Sequence, residues 1–542
     1  MNKKMIGFIT GRILILEAGL MFLPLIISFL YNENAKYKIA YGTVILMLLA
    51  TGFLLSAKTP EETSIQGREG YIIVSLSWIL MSMFGALPFV ITKEIPSFID
   101  AFFEIVSGFT TTGSSIITDL SKISHSNLFW RSFTHFVGGM GVLVLALAIF
   151  PSSATSVHVM KAEVPGPTFG KLVSKLSTTA RMLYKIYIVM TIVLIILLMF
   201  GGLNLFESSL LAFGTAGTGG FGVRNGSILP YNNPYVEIVL GIGMIVFGVN
   251  FNIYYFILIG KVKDVLKNEE LRYYLLIVFG AVVLIVLNIC KTYTSLAHCI
   301  RDVFFSVSSV ITTTGYSTAD FGKWPLFSQV ILLILMFFGA CAGSTAGGLK
   351  ISRVVLMVKI YFAEIIQMIS PNRVIAIKSD DKPVNVKMQK SIAVYFLIYS
   401  LVFGGILCII FHYKFIIIPP VYELFFIIII AIIVFLYNKI LRLKIGEIII
   451  EEILICYIIA GIVLFCRSYY LPDKVYIVHL EGYSRSNIDK IFFKFNGYSF
   501  QEYYTLTDYT DLDSYDKYEI KLYLKEPYPN VYYVSGIMLY EK

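Results

Sequence analysis

The feature that most constrains this chain is a series of long apolar segments, many of them close to the length that crosses a lipid bilayer. An α-helix needs about 20 apolar residues to span the hydrocarbon core. Of the 542 residues, 57% are hydrophobic and 15% are charged, whereas roughly a quarter of a soluble protein is charged. A soluble enzyme, a disordered chain and a secreted disulfide-rich scaffold are therefore excluded, and an all-α polytopic membrane protein is predicted. The predicted spans are 12–30, 40–57, 71–92, 129–150, 182–203, 234–260, 272–290, an interrupted 325–369, 391–412, 415–438 and 446–466.

The charged residues, cysteines and histidines narrow the function further. The net charge of +9 comes from Lys and Arg that lie mostly in segments on the side of the N-terminus, which predicts a cytoplasmic N-terminus and no nucleic-acid partner. No two cysteines have CxxC spacing, which argues against a zinc, iron–sulfur or disulfide framework. The histidines are scattered, so no enzymatic activity is expected. The first apolar run lacks a small-residue cleavage site and is predicted to be a span rather than a signal peptide.

Three segments between the predicted spans are too short to cross the membrane and too apolar to be free loops. Each is predicted to be a short helix that enters the membrane and returns, which is tolerated where protein buries the backbone or water lines it. Each runs into a Thr/Gly tetrad, and three copies in the same topological place indicate a repeated unit. The segments are 97–120, 205–225 and 297–320, and the tetrads are Thr110–Gly113 (tetrad 1), Gly217–Gly220 (tetrad 2) and Thr312–Gly315 (tetrad 3).

The composition of the tetrads suits a monovalent cation. Ion filters replace the hydration shell with rings of backbone carbonyls, and glycine permits backbone angles that turn its carbonyl inward. The C-terminal end of a preceding short helix is negative and would attract a cation. Because the tetrads contain no Asp or Glu, carbonyl oxygens are the expected ligands.

The sequences around the tetrads resemble the membrane subunit of the Trk/Ktr/HKT potassium-transport superfamily, in its bacterial TrkH type. The resemblance covers residues 1 to about 410, in the stretches Phe103–Ser115, Trp130–Ile149, Ala162–Pro167, Ala212–Arg224, Gly248–Phe251, Thr312–Phe321 and Gly339–Arg353. It implies potassium uptake across the bacterial cytoplasmic membrane through four helix–pore loop–helix units around a pseudo-fourfold axis. The filter residues that it implies, with K⁺ bound at them, are Thr111, Thr112, Gly113, Thr218, Gly219, Gly220, Thr313, Thr314 and Gly315.

The resemblance also implies a gate beneath the filter. Glycines at mid-membrane interrupt a helix, and 325–369 is too long for one crossing, so the residues support a break independently; close helix packing is the alternative interpretation. The implied gate residues are Gly343, Ser344, Thr345, Ala346, Gly347, Gly348 and Lys350.

Several other small or polar residues lie at membrane depth. Helix packing is expected for Gly138, Gly139 and Gly141. Asn250 is expected either to hydrogen-bond between helices or to line a cavity.

The partners that the resemblance implies are membrane lipid, a second copy of the chain in a homodimer, and a cytosolic nucleotide-binding regulatory subunit. No cofactor and no transition-metal site are expected, and K⁺ is the transported ion. The predicted organisation is two leading helices (1–60), pore unit 1 (71–150), pore unit 2 (182–260), pore unit 3 with an interrupted last helix (272–369), an incomplete or replaced pore unit 4 (391–466) and a polar C-terminal domain (469–542).

The fourth pore unit departs from the family pattern. Residues Lys414–Asn438 contain no glycine and include the consecutive prolines Pro419 and Pro420, which remove two backbone donors. Residues 411–466 are therefore predicted not to form an equivalent pore loop, and the chain alone is predicted not to rescue growth of cells deficient in potassium uptake. A second chain, or a degenerate loop around Ile416–Tyr422, could supply the missing strand.

The competing function is a non-conducting degenerate paralogue or membrane scaffold. A secondary transporter with broken helices is a weaker alternative, because such transporters often have inverted repeats and these units repeat in parallel. In the tail, alternating segments at Lys474–Leu480, Ile491–Asn496, Tyr518–Leu524 and Asn530–Tyr540 predict strands, in an α+β or mostly β domain.

Overall fold

The structure is a computed structural model. It describes residues 2–58, 60, 67–141, 176–370, 376–380, 382–415, 474–481, 494–495, 498–499, 517–528 and 531–541. The chain divides into two compact units, Met1–Pro419 and Pro420–Lys542, which are treated separately below.

In its described part the first unit is built of α-helices, as predicted, with one small hairpin. Five of the helices (α1, α2, α3, α6 and α11) are long and apolar enough to cross a membrane, and the bent pair α8–α9 adds a sixth if it counts as one span. The helices are α1 Lys3–Leu30, α2 Ala35–Ser56, α3 Gly67–Ile91, α4 Phe98–Phe109, α5 His125–Gly139, α6 Leu176–Phe200, α7 Leu205–Ala216, α8 Pro234–Phe247, α9 Phe251–Leu258, α10 Val262–Lys267, α11 Glu269–Ile289, α12 Leu296–Ile311, α13 Leu326–Phe338, α14 Ile351–Ile369 and α15 Val386–Phe415, with the hairpin strands β1 Lys378–Ser379 and β2 Lys382–Pro383 between α14 and α15.

A long helix, a short helix and a second helix recur three times, as α3–α4–α5, α6–α7–α8 and α11–α12–α13. The short helices α4 and α7 begin at polar caps, where the Ser97 hydroxyl accepts from the Asp100 amide and the Asn204 side chain accepts from the Glu207 amide. Such caps satisfy amides that have no partner within the helix. The three short helices occupy the segments that were predicted to enter the membrane and return. The boundaries of the predicted pore units remain predictions.

Each repeat has its own hydrophobic core. Trp130 packs in the core that α3, α4 and α5 share with α1 and α2, Leu211 in the core around α7, and Val303 in the core around α12. All three side chains are fully buried. The short helices are therefore held from behind by apolar packing, which fixes the position of the tetrads that follow them.

The predicted span 234–260 is not one straight helix, because α8 and α9 meet at an angle of 90°. The break at Gly248–Asn250 frees backbone groups that a neighbouring segment satisfies: the Cys341 amide donates to the Gly248 carbonyl, and the Phe251 amide donates to the Gly343 carbonyl. Non-helical backbone is tolerated at membrane depth when protein supplies such partners. A Cβ on Gly248 would lie 2.6 Å from the Tyr274 hydroxyl, so only glycine fits this approach.

The predicted interruption of 325–369 is present. Helix α13 ends at Phe338, helix α14 begins at Ile351, and Gly339–Lys350 between them is non-helical. This segment is called the intramembrane loop below. Gly339, Gly343 and Gly348 have positive φ values of 68°, 70° and 80°, which glycine adopts without steric cost.

The second unit contains strands in its described part, as predicted. Strands β3, β6 and β7 form an antiparallel sheet in the order β3–β6–β7, and β4 pairs with β5. Of the predicted strand 491–496, the described residues Lys494–Phe495 are extended, and the others lie outside the described residues. The strands are β3 Lys474–Glu481, β4 Lys494–Phe495, β5 Tyr498–Ser499, β6 Lys517–Tyr528 and β7 Val531–Glu541. The predicted spans 415–438 (all but its first residue) and 446–466 and the motif Ala162–Pro167 lie outside the described residues.

Candidate functional site

The three tetrads share one backbone conformation. The first residue of each tetrad ends a short helix with a φ between −76° and −85°. The second and fourth residues have positive φ, and the third does not. The positive values are 54°, 53° and 56° at Thr111, Thr218 and Thr313, and 76°, 77° and 88° at Gly113, Gly220 and Gly315.

The amide groups of the tetrads bond back to the short helices. The third amide of each tetrad donates, at 2.9 Å, to the carbonyl of the residue five positions earlier in the chain. The pairs are Thr112 with Ser107, Gly219 with Gly214, and Thr314 with Ser309. No described residue donates a hydrogen bond to the carbonyls of the last three residues of any tetrad. These oxygens are therefore free to accept a cation, which is what a carbonyl filter requires.

The tetrads lie directly against one another. A Cβ on Gly113 would overlap the carbonyl oxygen of Gly219, and a Cβ on Gly220 would overlap that of Thr314. Tetrad 2 is thus adjacent to tetrad 1 on one side and to tetrad 3 on the other. All nine predicted filter residues belong to this cluster.

One flank of the cluster is open within the described part of the chain. A Cβ on Gly315 would meet no described atom within 4 Å, and Thr112 is exposed. By contrast, Thr218 and Thr314 are each 1% exposed. The exposed faces belong to tetrads 1 and 3, which are the neighbours that a fourth strand would contact. The prediction for residues 411–466 remains a prediction, because residues 416–466 lie outside the described residues.

A buried ion pair that the sequence analysis missed supports tetrad 1. Arg131 Nε lies 2.5 Å from Glu104 Oε1, with side-chain exposures of 2% and 0%. The Glu104 carboxylate also accepts from the Ser115 hydroxyl at 2.9 Å and the Ile116 amide at 3.0 Å. Arg131 donates onward to the Gly222 carbonyl at 3.1 Å, so the pair joins the segments that follow tetrads 1 and 2. The one signal in the sequence was Glu104, a carboxylate flanked by apolar residues in the middle of a short helix.

An aromatic stack behind tetrad 2 was also missed. The rings of His135 and Phe221 are stacked with centroids 4.0 Å apart, and the Arg131 guanidinium lies 3.5 Å from the Phe221 centroid. A Cβ on Gly219 would lie 2.5 Å from the His135 ring. Tetrad 2 therefore has no room for a side chain at its third position, where the other tetrads have threonine.

The intramembrane loop contacts tetrad 3 and the bend between α8 and α9. The Gly347 amide donates to the Thr313 hydroxyl at 2.7 Å, and the Thr345 hydroxyl donates to the Phe247 carbonyl at 3.3 Å. Within the loop, the Ser344 hydroxyl donates to the Cys341 carbonyl at 2.6 Å, and the Lys350 ammonium donates to the Ala346 carbonyl. The seven predicted gate residues thus form one segment, of which Gly347 touches a tetrad.

The other small and polar residues have packing and capping roles. A Cβ on Gly138 would overlap the Phe109 carbonyl, and one on Gly139 would lie 2.5 Å from the Gly217 Cα, as helix packing predicts. The Asn250 side chain caps α9 by accepting from the Asn252 amide at 3.0 Å, a role that the sequence analysis did not consider.

Outside the membrane-spanning segments, polar contacts join the segments that follow tetrads 1 and 2. The Asn225 side chain donates to Asp119 at 2.8 Å and accepts from the Leu120 amide at 2.8 Å. Hydrogen bonds from Ser121, Asn225 and the Ser121 amide lower the pKa of Asp119. The carboxylate is therefore ionised at neutral pH, and these contacts weaken only in strong acid.

Comparison with known proteins places the chain in a family. The TrkH family, described as a cation transport protein, matches residues 36–435. The match extends past residue 410, near which the sequence analysis placed the end of the resemblance. The Trk system potassium uptake proteins TrkH and TrkG of Escherichia coli K12 are 33% and 31% identical to the chain over 410 and 409 residues, covering 74% of it and 84% and 83% of their own lengths.

Comparison with a solved structure supports the same family. The crystal structure of the potassium transporter TrkH from Vibrio parahaemolyticus has a TM-score of 0.67 and 28% identity, covering 75% of this chain and 85% of that one. Members of this family are integral membrane proteins that transport ions and are not enzymes. The three repeats, the shared tetrad conformation and these matches together show that the chain belongs to the TrkH family of cation transport proteins.

Proposed function

We propose that this chain carries K⁺ into the cell as the pore-forming subunit of a Trk-type uptake system. The cation passes through the carbonyls of the three tetrads and then past the intramembrane loop. The filter residues are Thr111–Gly113, Thr218–Gly220 and Thr313–Gly315, and the gate residues are Gly343–Gly348 and Lys350. K⁺ is the cargo, and the chain needs no cofactor to bind it.

The observation that carries this proposal is the hydrogen bonding of the tetrad backbone, in which amides and carbonyls differ. The amides of the first three residues of each tetrad donate to the short helices, and the carbonyls of the last three residues are left without donors among the described residues. A Cβ at Gly113 or Gly220 would overlap a carbonyl oxygen of the adjacent tetrad, so neighbouring tetrads are in direct contact, as strands of one carbonyl filter would be. Potassium is favoured over other cations because the curated relatives are named potassium uptake proteins.

The relatives are named as parts of a Trk system, which supports further components. We include a cytosolic nucleotide-binding regulatory subunit and a second copy of the chain in a homodimer. The fourth side of the filter, next to Gly315, is completed by residues beyond 415 or by another chain.

The test is growth at low K⁺ and ⁸⁶Rb⁺ uptake in a bacterial host that lacks its own potassium-uptake membrane subunits but keeps the cytosolic ones. With the host's cytosolic subunits present, the full chain is expected to restore both; without any helper subunit it is expected to restore neither. Gly220→Ala should lower the growth and the ⁸⁶Rb⁺ uptake that the chain restores, whereas the matched control Gly260→Ala should not: Gly260 has the same φ of 77° but a Cβ there would meet no described atom within 4 Å. Absence of uptake by a chain that is shown to reach the membrane would contradict the proposal.

The second candidate function is a non-conducting paralogue or membrane scaffold. The open flank at Gly315 and the exposed Thr112 favour it. It predicts normal membrane insertion with no ⁸⁶Rb⁺ uptake, and no difference between the Gly220→Ala and Gly260→Ala variants.

A further inference from the structure

A single carboxylate contacts both ends of the intramembrane loop. Glu270, the second residue of α11, accepts from the Ala342 amide at 2.7 Å and from the Ser352 amide at 3.1 Å, and both bonds go to its Oε1 atom. Ala342 lies near the start of the loop, and Ser352 lies in the first turn of α14. One side chain on a different helix therefore ties together two backbone sites ten residues apart.

The charge of Glu270 suits these contacts. Hydrogen bonds to an ionised acceptor are roughly twice as strong as neutral ones, and the N-terminal end of a helix such as α14 attracts a negative group. Lys350, which is only 5% exposed, lies close enough to interact electrostatically with Glu270. The carboxylate thus sits between a helix N-terminus and a buried ammonium group.

The neighbouring residue fixes the position of this carboxylate. Glu269 Oε1 lies 2.5 Å from the Lys359 ammonium, which also donates to the Lys378 carbonyl at 2.8 Å. The Glu269 amide donates to Asp380 at 2.8 Å. The first turn of α11 is therefore attached to α14 and to the β1–β2 hairpin, and it cannot shift without breaking these bonds.

We propose that Glu270 is a positioning residue that clamps the intramembrane loop against tetrad 3. With both ends held, the central part of the loop is kept where the Gly347 amide reaches the Thr313 hydroxyl. The negative charge, and the length of the side chain, are what the clamp requires. The clamp is a property of the folded chain, and only its effect on ion flow rests on the proposed function.

The test is hydrogen–deuterium exchange of the purified full-length protein. Glu270→Gln keeps the size of the side chain and removes the charge. We expect exchange of the loop amides, residues 341–350, to rise about tenfold. Glu364→Gln is the matched control, because Glu364 is an exposed carboxylate on α14, and it should leave the loop unchanged.

A role limited to capping α14 gives a different result. In that case exchange would rise only at the start of α14, near Ser352, and the Ala342–Gly347 amides would stay protected. That outcome, or an unchanged loop in Glu270→Gln, overturns the proposal. If the Gln variant does not fold, Glu270→Asp keeps the charge but shortens the reach by one methylene; we expect the same rise in loop exchange, and protection equal to the unmodified chain would overturn the clamp.

Ion flow separates this proposal from the proposed function. If the chain conducts, Glu270→Gln should raise ⁸⁶Rb⁺ uptake several-fold without changing discrimination between K⁺ and Na⁺, because the tetrads are intact. Lowered uptake with a protected loop would overturn the clamp. If the unmodified chain does not conduct, the proposed function fails and the exchange experiment still decides the clamp.

Discussion

At the scale of single residues, the tetrads show why their glycines are not interchangeable with other small residues. Gly113 and Gly220 each combine a positive φ with a neighbouring carbonyl where a Cβ would be, whereas Gly315 has the positive φ but open space among the described residues. Three glycines at equivalent sequence positions therefore have different tolerances, which the sequence repeat alone does not indicate.

This difference predicts an order of effects on selectivity. Alanine at a left-handed position costs about 1–2 kcal/mol, and overlap with a carbonyl adds to this at Gly220 but not at Gly315. We expect Gly220→Ala to lower the ratio of K⁺ to Na⁺ uptake by about tenfold or more, and Gly315→Ala to lower it less. The measurement is competition of Na⁺ with ⁸⁶Rb⁺ uptake. An equal or larger effect at Gly315 would show that a fourth strand packs against it.

The Glu104–Arg131 pair predicts a large effect on stability. Removing one partner of a buried pair leaves an uncompensated charge and costs about 3–5 kcal/mol, so Arg131→Met should strongly lower the unfolding temperature in detergent. Adding Glu104→Gln to that variant should recover part of the loss. Arg224→Met breaks the exposed Arg224–Glu207 bridge and serves as the control, at about 0–1 kcal/mol. Equal losses in the two single variants would contradict the role of burial.

The tetrads could be predicted from the sequence because their conformation depends on local Thr and Gly residues and on repetition. The Glu104–Arg131 pair and the His135–Phe221 stack could not. Their members lie on different elements, and only the packing of the repeats brings them together. Nothing in the local sequence distinguishes His135 from the other scattered histidines.

At the scale of elements, the intramembrane loop and the α8–α9 bend complete one another. Each breaks a helix, and each supplies hydrogen-bond partners that the other lacks, at Gly248 and Phe251 on one side and at Cys341 and Gly343 on the other. The loop could be predicted because glycines are dense in it. The bend was missed because Gly248 and Asn250 are isolated in an apolar run, and their effect depends on a distant partner.

The loop leads to a prediction about ion flow. Shortening it by removing Ala346 and Gly347 should raise ⁸⁶Rb⁺ uptake, because the contact between the Gly347 amide and the Thr313 hydroxyl would be lost and the path beneath tetrad 3 would open. The control is removal of Lys263 and Asp264, which are exposed. Unchanged uptake in a chain that conducts would leave helix packing as the role of these glycines.

At the scale of the whole molecule, the chain combines a TrkH-type membrane unit with a second unit rich in strands. Every contact described above for the tetrads and the loop is made within Met1–Pro419. The fold class, the repeats and the family could be predicted from the sequence, because long apolar runs and a threefold repeat can be recognised without knowing how the helices pack. The sequence did not allow a prediction of what, if anything, occupies the fourth position beside tetrads 1 and 3.

This separation predicts that the tail is dispensable for the stability of the membrane unit. Deleting residues 469–542 should leave its unfolding temperature unchanged within a few degrees. Tryptophan fluorescence is a suitable probe, because Trp78, Trp130 and Trp324 are the chain's three tryptophans and all lie before the tail. A large loss of stability would show that the tail supports the membrane unit.

The threonines with positive φ have a consequence for how the protein fails. Thr111, Thr218 and Thr313 hold left-handed angles that a β-branched residue rarely adopts, and each costs roughly 1–3 kcal/mol. Three such residues in one ring store conformational energy that is released if any short helix loosens. If the tetrads form the ion filter as proposed, they should relax to ordinary angles on heating while the surrounding helices are still folded, and ⁸⁶Rb⁺ uptake should be lost before the protein unfolds.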